Sequence, residues 1–219
     1  MSQKKMLLDK TITKVIKLDY LLYIPEDYSK ETAKKWPLVL FLHGSGERGE
    51  DVEIVATHGI PKLAEERKFP FIALSPQCPT NSNWEIQTDA LITLLKETFN
   101  SFSIDKDRVY LTGMSMGGFG TWSLSLQFPE LFAAIVPMCG GGVPVDAWKI
   151  KDIPVWAFHG AKDKDVLVEE TEKMVQALKD INGNVKCTIY PEVTHDCWTQ
   201  AYNQAELYNW LLAQNKNPG

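Results

Sequence analysis

The sequence is short of histidine and cysteine, has no long apolar run, and shows no surplus of positive charge. Each shortage excludes something. The four cysteines, Cys78, Cys139, Cys187 and Cys197, form no C-x-x-C pair. That removes zinc-ribbon and thioredoxin-type readings and leaves free, buried thiols as the expectation. No stretch approaches the ~18 apolar residues of a membrane span, and the opening MSQKKMLLDK lacks the apolar run of a secretion signal. A cytoplasmic protein is therefore expected, or a secreted one whose leader has already been removed. Lys plus Arg number 23 against 28 Asp plus Glu, a net charge of -5 with no basic stripe. That balance argues against nucleic acid or an anionic membrane as partner. No phosphate-loop pattern occurs, and no repeat, low-complexity tract or linker divides the chain, so one domain over 1–219 is expected. Only four histidines are present, His43, His58, His159 and His195, which makes the search for a catalytic imidazole short.

The patterning alternates strands and helices. Thr11–Leu18 and Tyr20–Ile24 alternate like two strands, close enough to pair antiparallel at a sheet edge. Pro37–Leu42, Phe71–Ser75, Arg108–Thr112, Phe132–Met138 and Ile153–Phe158 are apolar runs of the kind that are buried on both faces, and Val185–Tyr190 closes the series. Helical spacing falls at Ile60–Arg67, Glu85–Phe99 (Ile86, Ala90, Leu91, Leu94, Leu95, Thr98), Met116–Phe128, Leu167–Ile181 and Cys197–Leu212. This order implies an α/β fold: a mostly parallel sheet with an antiparallel N-terminal edge and helices on both faces. Sites in such sheets lie just beyond the carboxyl ends of the strands.

There the chemistry concentrates. After the strand RVYLT comes Gly113-Met114-Ser115-Met116-Gly117, a G-x-S-x-G turn between strand and helix that raises a serine hydroxyl above the sheet. Ser115 is the expected nucleophile. A serine needs a base to take its proton, and in this arrangement the chain order is serine, acid, histidine. Only His195 leaves room for an acid between it and Ser115. His43 and His159 each begin a His-Gly directly after a buried run, where an imidazole would satisfy loop backbone; His58 lies in a polar loop. Asp163 and Asp165 both qualify as the acid, with Asp163 slightly favoured, while Asp196 suits a helix cap. The oxyanion calls for main-chain N–H donors: one from Met116, at a helix start, the other from the glycine-rich loop His43–Gly49.

Six segments together carry a resemblance: LFLHGSGERG (Leu40–Gly49), SPQCP (Ser75–Pro79), LTGMSMGGFGTW (Leu111–Trp122), MCGGG (Met138–Gly142), VWAFHGAKDKDV (Val155–Val166) and HDCWTQAYN (His195–Asn203). They resemble the small bacterial α/β-hydrolase carboxylesterases, phospholipase/carboxylesterase-like and dienelactone-hydrolase-like. They are more distantly similar to feruloyl esterases and the catalytic domain of prolyl oligopeptidases. The likeness runs from about Tyr20 to Leu212. It implies an α/β-hydrolase fold, Asp163 as the acid of H-G-x-x-D-x-x-V, and the N–H of Ser45 as the second oxyanion donor. It implies a serine esterase acting on small-molecule esters, with no metal or cofactor. No insertion is long enough for a large lid or cap, which favours short or medium acyl chains; a feruloyl or acetyl xylan esterase is the alternative. A peptidase of oligopeptidase type and a non-catalytic binding module are weaker readings. Trp84, Trp148 and Trp198 fall near strand ends, where they would form either an aromatic wall for substrate or peripheral core. Arg48, with Glu47, is expected either to brace the loop as an ion pair or to meet substrate.

Overall fold

The computed structural model describes residues 3–29 and 33–217. Seven strands form one sheet: β1 (Tyr20–Tyr23), β2 (Trp36–Leu42), β3 (Ile72–Pro76), β4 (Ile104–Met114), β5 (Ala134–Met138), β6 (Val155–Gly160) and β7 (Val185–Tyr190). Their order across the sheet is β1-β3-β2-β4-β5-β6-β7. Every pairing is parallel except that of β1, which runs antiparallel to β3. The helices are α1 (Gly59–Glu66), α2 (Thr88–Ser101), α3 (Met116–Gln127), α4 (Val168–Asp180), α5 (Trp198–Asn203) and α6 (Ala205–Leu212). This is the α/β-hydrolase fold.

Burial on both faces explains why the central strands read as unbroken apolar runs rather than as alternations. All seven residues of β2 are buried. Leu38, Leu40 and Leu42 join one core with Leu91 and Leu95 of α2, Trp122 of α3 and Met174 of α4. Val39 and Phe41 point the other way, into a second core with Ile60 of α1, Tyr202 of α5 and Leu207 of α6. At roughly 1.5–3 kcal/mol for each fully buried large apolar side chain, these two layers supply the drive that holds the strand ends rigid.

Three expectations change. Thr11–Leu18 forms no strand, because no ladder receives it; Ile12 and Val15 are more than three-quarters exposed. The antiparallel edge exists, but β1 pairs with β3 rather than with the segment before it. Ile86 lies ahead of α2 and is exposed, so the helix starts at Thr88. The final helix is interrupted at Gln204, where the backbone is extended, and becomes α5 and α6. All four cysteines are free; Cys187, on edge strand β7, is half-buried and the other three are buried.

Candidate active site

β4 ends at Met114 and α3 begins at Met116, so Ser115 makes the entire turn alone. Its backbone pays with a left-handed conformation, φ 53° and ψ -117°, a strain on the order of 1–3 kcal/mol for a non-glycine residue. The turn is possible because its flanks are glycines. A Cβ on Gly117 would sit 1.9 Å from the carbonyl oxygen of Leu42, and one on Gly113 would sit 2.3 Å from that of Gly117. The Ser115 N–H is tied down by Met138 O at 3.0 Å and by the Cys139 Sγ at 3.3 Å. Cys139, itself left-handed at φ 40°, is a contact that the sequence reading missed. The run MCGGG signals it only as a tight passage, not as a sulfur beneath the serine.

His195, on the loop between β7 and α5, places Nε2 2.8 Å from Ser115 Oγ and Nδ1 2.7 Å from Asp163 Oδ2. Asp163 rather than Asp165 therefore meets the histidine. Asp165 instead gives its main-chain N–H to Asp163 Oδ1 at 2.9 Å, and Val166 does the same at 3.0 Å. Burial opposes ionisation of Asp163, but the hydrogen bond from His195 and the two N–H donors outweigh it and hold its carboxyl below the usual range. Asp196 caps the following turn, accepting from Thr199 N at 2.9 Å. Cys139 Sγ, a carboxylate oxygen of Asp163 and a ring nitrogen of His195 lie within 4.8 Å of one another. Each of these three groups already has a partner within the serine–histidine–aspartate chain.

The loop after β2 passes beside the serine: a Cβ on Gly44 would lie 3.7 Å from Ser115 Cβ. This loop carries Ser45. Opposite it, Met116 opens α3, where a helix leaves its first N–H groups without intrahelical partners. Arg48 braces the loop, but through the carbonyls of Ser45 (3.0 Å) and Ser82 (3.3 Å) rather than through an ion pair with Glu47. Glu47 turns inward, buried, with Oε1 3.6 Å from His58 Nε2. His43 keeps the strand end closed: Nε2 accepts from Cys78 N at 2.9 Å and Nδ1 donates to Gly44 O at 2.6 Å. Burial pushes its pKa down to about 4 against that carbonyl bond.

The three tryptophans separate. Trp84 is core, 1% exposed, with its N–H on His43 O and no face toward substrate. Trp198 stands edge-on to His195 at 5.2 Å and to His58 at 5.8 Å between ring centres, so it borders the site and gives His58 a neighbour that its polar loop did not suggest. Trp148 is 65% exposed. It lies between Asp146 and Lys149, which line a cavity of about 370 Å³ together with Phe119 and Gly141 to Val143. A larger groove of about 910 Å³ between α4 and β7 is lined by none of the serine–histidine–aspartate residues.

Among known proteins, the chain is 26% identical over 197 residues to a bifunctional acetylxylan esterase/xylanase of Neocallimastix patriciarum, covering 88% of this chain and 28% of that protein. A putative carboxymethylenebutenolidase of Escherichia coli K12 is 28% identical over 100 residues, 42% of this chain and 37% of that one. The chain thus spans well under two thirds of the length of these relatives. A solved thermostable esterase superposes with a TM-score of 0.80 at 35% identity, over 90% of this chain and 59% of that one. The feruloyl esterase module of Clostridium thermocellum shares the fold, with a TM-score of 0.67 at 17% identity, over 91% and 86% of the two chains. The dienelactone hydrolase family model matches residues 9–209. With a match across almost its whole length and a G-x-S-x-G turn set in the fold of its esterase neighbours, the chain belongs to the dienelactone hydrolase family.

Proposed function

We propose that the protein is a serine carboxylesterase that hydrolyses short- to medium-chain acyl esters through Ser115, His195 and Asp163. The observation that carries this reading is the unbroken chain of contacts Ser115 Oγ–His195–Asp163, at 2.8 and 2.7 Å. Ser115 Oγ attacks the ester carbonyl carbon as His195 Nε2 takes its proton. Asp163 holds the Nδ1–H tautomer and stabilises the imidazolium. The oxyanion is received by the N–H groups of Ser45 and Met116, each such donor contributing roughly 3–4 kcal/mol to the transition state. Collapse of the intermediate expels the alcohol, which takes the proton from His195, and water then clears the acyl-enzyme by the same route.

A second reading, a feruloyl or acetyl xylan esterase, is favoured by the acetylxylan esterase relative and by the exposed indole of Trp148. A fluorophosphonate probe should label Ser115, and Ser115→Ala should abolish both labelling and turnover; turnover that survives the substitution refutes the assignment. An ester panel of nitrophenyl acetate, butyrate and laurate against methyl ferulate and acetylated xylan separates the two substrate readings.

A further inference from the structure

We propose that His159 is a positioning residue for Asp163, a second imidazole that holds the acid from the side opposite His195. This rests on the reading of Asp163 as the catalytic acid. The sequence offers His159 only as a histidine closing a strand end. The structure places it at the end of β6, fully buried, with Nε2 2.9 Å from Val166 O and 3.2 Å from Asp163 Oδ2. A carbonyl and a carboxylate oxygen can only accept, so Nε2 carries the proton. The twin His-Gly at the end of β2 has the opposite polarity, since His43 Nε2 accepts from the N–H of Cys78. The same two-residue device thus serves backbone after β2 and the carboxylate of Asp163 after β6.

Both oxygens of Asp163 have donors, and His159 brings a second N–H beside the oxygen that His195 already holds. Oδ1 receives the N–H groups of Asp165 and Val166; Oδ2 receives His195 Nδ1 and faces His159 Nε2. Without His159 the Oδ2 atom would keep one donor, and the carboxylate would be freer to turn away from His195. The other side of the ring continues the support. His159 Nδ1 lies 2.8 Å from Thr171 Oγ1 on α4, and that hydroxyl lies 2.8 Å from Gly140 O, so with the ring proton on Nε2 its single proton serves one of these two acceptors at a time. Gly140 packs directly on the nucleophile helix, since a Cβ there would be 2.5 Å from the main-chain carbon of Gly118. The contacts Gly118, Gly140, Thr171, His159, Asp163, His195 and Ser115 close a ring, so the acid is registered to the helix that carries the serine from behind as well as through His195.

The test is kinetic and spectroscopic. His159→Leu should lower kcat per fluorophosphonate-titrated site about tenfold, the worth of one hydrogen bond to a charged group, with KM nearly unchanged. His159→Gln, whose amide can still donate toward Asp163, should recover most of that loss. The low-field proton of the His195–Asp163 hydrogen bond should shift in the leucine variant and return toward its place in the glutamine variant. Titrating active sites counts only folded enzyme, so a variant that folds poorly still reports on the proposal. In the unaltered protein, the ¹⁵N-edited imidazole spectrum should show a proton on His159 Nε2. An unprotonated Nε2, an equal fall in kcat for leucine and glutamine, or a leucine variant as fast per site as the parent would each overturn the proposal. Ser115→Ala tests the underlying triad separately, because the protonation of His159 does not depend on whether Ser115 reacts.

Discussion

Mild acid should unload His43 before it unloads most of the fold. Both ring nitrogens of His43 are committed in the neutral form, Nδ1–H to Gly44 O and Nε2 to the N–H of Cys78. A second proton would turn the Nε2 acceptor into a donor facing another donor, in a fully buried position. Burial accordingly lowers its pKa from 6.5 to about 4. In the unfolded chain the same imidazole keeps the ordinary value. Between these values the unfolded state binds the extra proton and the native state does not, so stability falls as pH drops through 6.5 toward 4. The loss amounts to about 2 kcal/mol by pH 5 and about 3 kcal/mol below pH 4. Urea unfolding at a series of pH values from 7.5 to 4.5 measures it, with His43→Gln as the reference. The glutamine oxygen can still accept from Cys78 but does not titrate, so subtracting its curve cancels the carboxylates common to both proteins. The two curves should converge or cross as pH falls. If they stay parallel, His43 is not the acid-sensitive group and the argument from its hydrogen bonds fails.

Asp163→Asn should cut kcat on the order of 10³–10⁴-fold, because the amide favours the wrong His195 tautomer. Asp165→Asn should cost less than about threefold, since only its main-chain N–H reaches Asp163; steady-state kinetics decides, and the reverse ranking would exchange their roles. Gly117→Ala should destabilise by at least ~3 kcal/mol, because its methyl would stand 1.9 Å from the Leu42 carbonyl oxygen. A thermal melt close to the parent's would show that the turn has room the structure denies. Trp148→Ala should leave the melting temperature and nitrophenyl acetate turnover unchanged and raise KM for acetylated xylan severalfold. An equal effect on both substrates, or on neither, would withdraw the polysaccharide reading.

The parts of the site legible in the sequence are those that the chain fixes locally. A strand, one residue and a helix leave Ser115 no conformation other than the strained turn, and the glycines around it are visible as letters. The acid was ambiguous because Asp163 and Asp165 share one loop, and spacing does not say which side chain turns under the sheet end and which offers only its N–H. The tryptophans were ambiguous for a related reason: position near a strand end does not distinguish Trp84, wedged behind His43, from Trp148, standing in solvent. The Thr11–Leu18 pattern misled because alternation alone does not make a strand: among the described residues the outer edge of β1 stays unpaired, and Ile12 and Val15 stay exposed instead of packing on a core.

The sequence by itself determined the layered α/β fold, the strand–Ser115–helix turn and the chain order Ser115, Asp163, His195, because apolar periodicity and tight-turn chemistry act over a few neighbouring residues. Only the tertiary structure decided which aspartate meets His195, that Cys139 lies beneath Ser115, that Glu47 turns inward instead of pairing with Arg48, and that His43 and His159 use their rings with opposite polarity. Those are contacts between segments far apart in the chain. Their geometry follows from how the two cores seat the helices against the sheet, and no local pattern carries that information.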